Sequence, residues 1–230
     1  MNGQDSGIDY QLSKPQKFLD LGCCLAQDLR KLVFDGAPSE NLYGLDIEEG
    51  FIALSYDLFR DKGTLKAQFV VEDMLLADDE KTDLDRTGTS TKEASKSPTT
   101  LIPLASLDKG VSIIAANSFF HLYNYSEQLK LAKRVVQLLS PERGSLILGR
   151  QVGSSVPGEY TAVNNKGTRY SHDVASFQRF WDQVADEIGD GRKFRVEATL
   201  DEEELGENKN KGQNWSEPNI RRLRFGVWRE

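Results

Sequence analysis

The sequence predicts a doubly wound α/β fold, with a mostly parallel seven-stranded sheet and an antiparallel terminal hairpin. Short apolar runs alternate with segments of helical spacing through most of the chain, which is the pattern of parallel βαβ units. An acidic residue, Asp46, ends the second apolar run, and a highly polar connection joins the last two runs. At 230 residues with 38% hydrophobic content, the chain suits one domain with a full core.

The first predicted strand, Phe18–Leu21, stops at Gly22 and passes into a segment of helical spacing. In an open α/β sheet such a turn lies where ligands with acidic or hydroxyl groups dock. A G-x-G-x-x-G dinucleotide turn would need Gly where the chain has Cys24 and Gln27. The looser G-x-G-x-G turn of S-adenosylmethionine (SAM) enzymes would place Cys24 and Ala26 at its second and third glycines. The turn therefore predicts a nucleotide site, with an ordinary strand-to-helix turn as the alternative.

The second predicted strand covers residues 41–47 and ends in Asp46, which lies 24 positions after Gly22. In this class of folds, a carboxylate about 20 residues past the glycine turn binds the two ribose hydroxyls, because one bidentate acceptor suits two hydroxyl donors. This spacing favours a nucleotide cofactor over the ordinary turn.

The third predicted strand, residues 67–75, ends in Asp73 and Met74. Asp73 can accept a hydrogen bond from an exocyclic amine and Met74 can pack on a flat base, so together they would hold an adenine. The alternative is that Asp73 caps the next helix.

The remaining elements follow the same alternation. A helix over residues 50–60 has Phe51, Leu54, Leu58 and Phe59 on one face, and a helix capped by Ser126 runs to Leu139 with four apolar residues facing the core. The fourth predicted strand covers residues 111–117 and the fifth covers 145–150, followed by a site-lining loop over 151–169. An amphipathic helix covers 173–188 and includes Val174 on its apolar face. The two terminal strands cover 193–200 and 220–228.

Two segments are predicted to lie outside the core. Residues 1–16 are polar and read as a flexible N-terminal arm, which leaves a single domain from residue 17 to residue 230. Residues 77–103 are rich in Asp, Thr, Ser and Lys and form a polar surface insertion. Either a mobile loop or a regulatory, partner-binding loop would have this composition.

Composition excludes several classes of function. A net charge of -7 argues against a nucleic-acid partner, because no basic surface is evident to neutralise phosphates. Two His residues and two adjacent Cys residues lack the ligands of a transition-metal site, so no metal is expected. The adjacent cysteines have no third partner, and no run of about 18 apolar residues appears, so a reducing, cytoplasmic location without a membrane span is expected.

Five stretches of the chain resemble a fungal group of class I SAM-dependent methyltransferases from meroterpenoid and polyketide pathways. These stretches, of which the double-Cys turn is the most specific, are Phe18–Leu32, Leu42–Ile47, Ser118–Leu122, Gly144–Val152 and Arg221–Phe225. The resemblance implies a Rossmann-like methyltransferase fold, SAM as cofactor, and O-methylation of a carboxyl or hydroxyl group on a terpenoid or polyketide.

The resemblance also implies a set of site residues. Gly22 and its neighbouring N–H groups would receive the amino-acid part of SAM, and His121 would be the catalytic base where the acceptor is a hydroxyl, since a carboxylate acceptor needs none at neutral pH. The cofactor-binding residues would be Asp20, Gly22, Cys23, Asp46, Ile47, Asp73, Met74 and Asn117. The substrate-binding residues would be Phe120, Tyr123 and His172. A core histidine is the alternative for His121.

Members of that group usually carry several tens of residues before the first strand, which form helices that roof the pocket, whereas about 16 residues precede it here. We therefore expect a partner subunit, possibly a second copy of this chain, to supply the lid. Two other functions fit the same fold: cyclisation or isomerisation in an open pocket lined by Phe119, Phe120, Tyr123 and Tyr125, without methyl transfer, or a non-catalytic subunit of a related enzyme.

Overall fold

The computed structural model describes residues 16–76, 101–162, 167–202 and 219–230. The strands are β1 (Phe18–Leu21), β2 (Leu42–Asp46), β3 (Gln68–Val71), β4 (Ile113–Ala115), β5 (Leu146–Ser154), β6 (Gly158–Thr161), β7 (Thr168–Ser171), β8 (Phe194–Leu200) and β9 (Ile220–Arg229). The α-helices are α1 (Gln27–Phe34), α2 (Glu49–Phe59), α3 (Tyr125–Leu138) and α4 (Val174–Ile188). Short 3₁₀ helices cover Ser39–Asn41, Leu104–Leu107 and Phe120–Leu122.

Of the described strands, seven form one sheet in the order β3-β2-β1-β4-β5-β9-β8, and β6 and β7 pair with each other in a second sheet. Strands β1 to β5 are parallel, whereas β9 is antiparallel to both β5 and β8. The order reverses between β1 and β4, which is the switch point where ligands bind in open α/β sheets. The predicted doubly wound sheet with an antiparallel terminal hairpin is confirmed.

Helices pack on both faces of the sheet. On one face, Leu29 of α1 and Ile52 and Tyr56 of α2 form a cluster with Leu42 and Phe69 of the sheet. On the other face, α3 and α4 pack against the sheet in the larger core cluster, together with the 3₁₀ helices that flank β4. The sheet is therefore buried between two helical layers at β1 and β2.

Helix α4 shows how the sequence specifies an element. Asp173 and Ser176 form a reciprocal capping box at its start, and Phe177, Phe180 and Trp181, which recur at helical spacing, are fully buried. The predicted helix is confirmed. Val174, predicted on the apolar face, is instead 41% exposed, because it is the first residue of the helix.

Two other helices differ from prediction. Asn124, not Ser126, caps α3: its Oδ1 accepts from Glu127 N at 3.0 Å, and Glu127 Oε2 accepts from Asn124 N at 3.0 Å. In α2, Ile52 and Tyr56 face the sheet. The four residues expected to form its apolar face are each more than 40% exposed: Phe51, Leu54, Leu58 and Phe59.

The predicted loop over residues 151–169 is wrong. Strand β5 continues to Ser154 because β9 pairs with it over its whole length, from Leu146↔Trp228 to Ser154↔Ile220. The chain then forms the β6–β7 ladder, which adds a second small sheet beside the end of β5.

The two predicted peripheral segments fall mostly outside the described residues, namely residues 1–15 of the arm and 77–100 of the insertion. At the end of the insertion, Leu101 forms a parallel bridge with Phe69. Within the described ranges, no helix is long and apolar enough to span a bilayer.

Candidate functional site

A cavity of about 220 Å³ lies at the carboxyl ends of β1, β2, β3 and β4, at the strand-order reversal. Two of its lining side chains, Ile47 and Leu122, are 65% and 56% exposed, so they form its rim. The cavity is lined by Gly22, Leu45, Asp46, Ile47, Glu72, Asp73, Met74, Asn117, Ser118, Phe119, Leu122 and Tyr123.

The turn after β1 keeps the backbone of a glycine turn with only the first of its three glycines. Gly22, Cys24 and Ala26 have φ angles of 68°, 49° and 50°. Left-handed conformations are favourable for Gly and strained for other residues. The three positions where a G-x-G-x-G motif would have glycine therefore all adopt the conformation that favours glycine.

The amides of this turn bond to β2. Gly22 N and Cys23 N donate to Leu45 O at 2.8 and 3.0 Å, and Cys24 N donates to Asp46 Oδ2 at 2.8 Å. These three N–H groups, which the resemblance assigns to the amino-acid part of SAM, donate within the protein in this conformation. Their effect is to fix the turn against the end of β2.

Asp46 is the central acid of the cavity and is 8% exposed. Besides the bond from Cys24, its Oδ1 accepts from Glu48 N at 3.0 Å. An ionised carboxylate offers about four acceptor positions, so these two bonds leave capacity for two more donors. The buried carboxylate beside a cavity suits a vicinal diol.

The segment after β3 forms the adjacent wall. Asp73 Oδ1 accepts from Leu75 N at 2.8 Å, so Asp73 stabilises its own turn while lining the cavity. Met74 is 6% exposed and contributes an apolar side chain. The two roles considered for Asp73, capping and facing a ligand, are compatible in this geometry.

Strand β4 leads into the third wall. Asn117 Oδ1 accepts from Arg150 N at 3.3 Å, which ties the end of β4 to β5. The rings of Phe119 and Tyr123 lie 5.7 Å apart at the cavity. Burial raises the pKa of Tyr123, and the nearby Asp73 carboxylate adds to the effect, so this hydroxyl is a hydrogen-bond donor at neutral pH.

Two predicted cofactor residues lie behind the cavity wall. Asp20 is 5% exposed, and burial raises its pKa to about 7, helped by the charges of Asp28 and Asp46. Cys23 is 2% exposed, and burial raises the pKa of its thiol far above the usual range. Neither lines the cavity, and Cys23 packs in the apolar cluster with Ala26 and Leu29.

His121 and Phe120 also lie away from the cavity lining. His121 is 6% exposed, and its Nδ1 has no hydrogen-bond partner in the part of the chain that the structure describes. Burial lowers the pKa of His121 to about 4, with a contribution from Arg169. Phe120 is fully buried against Phe180 and Trp181. In this conformation His121 is a neutral core histidine.

His172 is a structural residue in this geometry. It is fully buried, with Nδ1 3.0 Å from Ser176 Oγ and Nε2 3.2 Å from Gln128 Oε1. Burial lowers the pKa of His172 to about 3. It joins β7 to α3 and α4 and does not line the cavity, in contrast to its predicted contact with substrate.

Sequence reasoning missed several lining residues, namely Leu45, Glu72, Ser118 and Leu122, and it named Phe119 only for the open pocket of the cyclisation alternative. Each directly adjoins a predicted residue, and that proximity is the signal that could have found them. In the described ranges, no group of three His, Cys, Asp or Glu side chains is placed to hold a metal ion.

No known family model matches the chain. The chain is 34% identical over 222 residues to the O-methyltransferase phiE of a fungal species, covering 93% of this chain and 66% of that protein. It is 37% identical to the O-methyltransferase atr3 of Stereocaulon alpinum, covering 93% of this chain and 54% of that protein. It is also 37% identical to the asnovolin E/chermesin D methyltransferase nvfJ of Aspergillus novofumigatus, covering 83% and 60%. The chain thus spans between about half and two thirds of the curated relatives it matches.

Solved structures with the same fold include the Burkholderia thailandensis 1,6-didemethyltoxoflavin-N1-methyltransferase with bound S-adenosylhomocysteine. It has a TM-score of 0.58 and 11% identity, and the match covers 94% of this chain and 72% of that one. The N-terminal domain of EvdMO1 with S-adenosylhomocysteine bound has a TM-score of 0.57 and 10% identity, covering 94% and 75%. The chain therefore has the fold of the class I SAM-dependent methyltransferases and is a homologue of these fungal methyltransferases.

Proposed function

We propose that the chain carries a SAM-dependent O-methyltransferase activity that acts on a terpenoid or polyketide in secondary metabolism. The observation that supports this most is Asp46, a buried carboxylate with spare acceptor capacity, in a cavity at the strand-order reversal. The names of the fungal relatives support the same activity.

The lining residues fit SAM or its demethylated product, S-adenosylhomocysteine. Asp46 would accept from the ribose hydroxyls, Asp73 from the adenine amine, and Met74 and Ile47 would pack on the base. Asn117 and Gly22 would border the remainder of the cofactor. When bound, SAM supplies an electrophilic methyl group, so the contribution of the chain is mainly positioning and exclusion of water.

The acceptor is inferred to be a carboxyl group or an acidic hydroxyl on an apolar molecule. His121 is buried outside the cavity with a low pKa, so it offers no base here. A carboxylate needs no base at neutral pH. The exposed apolar rim of Ile47 and Leu122, with Tyr123 behind it as a hydroxyl donor, suits an apolar molecule with one polar group.

Isothermal titration calorimetry with SAM and S-adenosylhomocysteine tests the proposal. We expect both to bind, and we expect Asp46→Ala to lose binding by about tenfold or more, because a lost charge-assisted hydrogen bond costs roughly 1.5–3 kcal/mol. Asp57→Ala, an exposed aspartate on α2, is the matched control. Absence of binding at millimolar cofactor would contradict the proposal and favour a protein that has kept the fold without methyl transfer.

We further propose that a second copy of the chain covers the cavity mouth, because two large apolar side chains, Ile47 and Leu122, remain exposed there. A strict monomer in sedimentation velocity with full activity would rule out the second copy.

We also propose a reducing, cytoplasmic location, which two free, adjacent cysteines suit.

A further inference from the structure

Arg30 of α1 reaches back to the turn that follows β1. Its Nη1 donates to Leu25 O at 3.0 Å and to Ala26 O at 3.2 Å. These carbonyls belong to the last two residues of the turn that begins at Gly22, and Ala26 is the left-handed residue immediately before α1. The guanidinium therefore bonds the last two residues of the turn, one of which is the strained Ala26.

The guanidinium is itself held rigidly. Its Nε and Nη2 donate to the two carboxylate oxygens of Asp61 at 2.7 and 3.1 Å, and Nη2 also reaches Ser55 Oγ at 3.2 Å. The rings of Phe59 and Tyr56 lie 4.4 and 5.4 Å from its central carbon. The Arg30 side chain is only 9% exposed, so solvent competes weakly for these bonds.

This network joins the turn to α2 and to the segment after it. At the start of the turn, the amides of Gly22, Cys23 and Cys24 bond to the end of β2. At its exit, Arg30 bonds two carbonyls. Two of the three left-handed positions of the turn lack glycine, so tertiary bonds at both ends must hold a conformation that the sequence alone disfavours.

We propose that Arg30, oriented by Asp61, is a positioning residue for cofactor binding: it holds Ala26 and Leu25 so that the turn presents Gly22 to the cavity and keeps Cys24 N bonded to Asp46. This inference rests on the proposed function for its effect on cofactor affinity. Arg30 itself does not line the cavity, so it acts through the turn. Loss of the guanidinium should weaken cofactor binding and loosen the turn.

The first test measures S-adenosylhomocysteine affinity by calorimetry for Arg30→Met, Arg30→Lys and Asp61→Asn. We expect Arg30→Met to weaken binding about tenfold, and Arg30→Lys to weaken it less, because Lys keeps the charge but not the planar fork. Lys31→Met, which removes an exposed ion pair with Asp35 on the same helix, is the control and should bind as the wild type does.

A double-mutant cycle separates positioning from general stability. Glycine adopts the left-handed conformation without strain, so in an Ala26→Gly background the loss of Arg30 should matter less. We expect Arg30→Met to cost about threefold less affinity in that background than in the wild type. Equal losses in both backgrounds would overturn the role assigned to Arg30.

The second test needs no cofactor. Cys24 is half-buried in the turn and Cys23 is 2% exposed, so labelling with a disulfide reagent should modify Cys24 quickly and Cys23 slowly. Arg30→Met, or Arg30→Lys if the former does not fold, should accelerate labelling of Cys23, while Lys31→Met should not. Unchanged labelling together with unchanged affinity would overturn the inference. If the wild type failed to bind S-adenosylhomocysteine, the proposed function would fail, and the labelling rates alone would decide whether Arg30 holds the turn.

Discussion

Ala26, the last residue of the turn after β1, adopts a backbone conformation that is unfavourable for alanine. It is fully buried with a φ of 50° and no side-chain cap for α1. A left-handed conformation costs a residue with a Cβ roughly 1–2 kcal/mol. The fold tolerates this strain because tertiary bonds fix both ends of the turn.

We therefore expect Ala26→Gly to raise the free energy of unfolding by about 1 kcal/mol, the relieved strain less the greater entropy of an unfolded glycine. Urea unfolding measures the change. Ala53→Gly on the exposed side of α2 is the control, and should lower stability by about 1 kcal/mol because glycine disfavours a helix interior. A loss of stability at Ala26 as large as the loss at Ala53 would show that the turn is not strained there.

Asp20 predicts a pH dependence. Its folded-state pKa of about 7 lies above its ordinary value of 3.8, so the folded protein holds the proton more tightly than the unfolded chain does. The stability that this proton contributes is present below pH 3.8 and is lost as the pH rises to 7. Asn carries no charge at either pH, so Asp20→Asn avoids this loss. The free energy of unfolding of Asp20→Asn, relative to that of the wild type, should therefore rise by up to about 4 kcal/mol between pH 4 and pH 8. Urea unfolding at the two pH values checks it, and an equal difference at both would contradict the burial argument.

Among the elements, the strand ends were the most predictable from sequence. Asp46 and Asp73 could be placed because each directly follows a short apolar run, and parallel strands bring their carboxyl ends to one edge. The histidines could not be placed in the same way. Whether His121 and His172 face a cavity or the core depends on how α4 and β7 pack, and that packing is not visible in local sequence.

The predicted buried face was wrong for α2, which has more than one apolar stripe. Helix α2 has apolar residues almost all round, so periodicity alone did not show that Ile52 and Tyr56 face the sheet. Similarly, Asn124 and Ser126 are both good caps by residue type. Only the bonds to Glu127 show that Asn124 begins α3.

At α3 we expect Asn124→Ala to lower the free energy of unfolding by about 1 kcal/mol, the usual cost of removing a cap. Ser126→Ala should change stability by less than about 0.5 kcal/mol, because Ser126 is exposed and, among the described residues, its hydroxyl bonds only to Asn124 Oδ1. Thermal unfolding of the two variants compares them. A larger effect at Ser126 would restore the original assignment of the cap.

For the whole molecule, the described residues leave the cavity mouth open between two exposed apolar side chains. Ile47 follows β2 and Leu122 is the last residue of the 3₁₀ helix after β4, so the two rim residues come from opposite sides of the strand-order reversal. A cover that contacts both would exclude water from the cavity and strengthen polar interactions inside it.

If a second copy supplies that cover, Leu122→Glu should place a charge in the interface and raise the dimer dissociation constant by about tenfold or more. Sedimentation velocity over a range of protein concentrations measures it. Val156→Glu is the control, since Val156 is equally exposed at 56% but does not line the cavity, and it should leave association unchanged. A wild type that stays monomeric at every concentration, or equal weakening by both variants, would show that the cover does not come from a second copy seated on this rim.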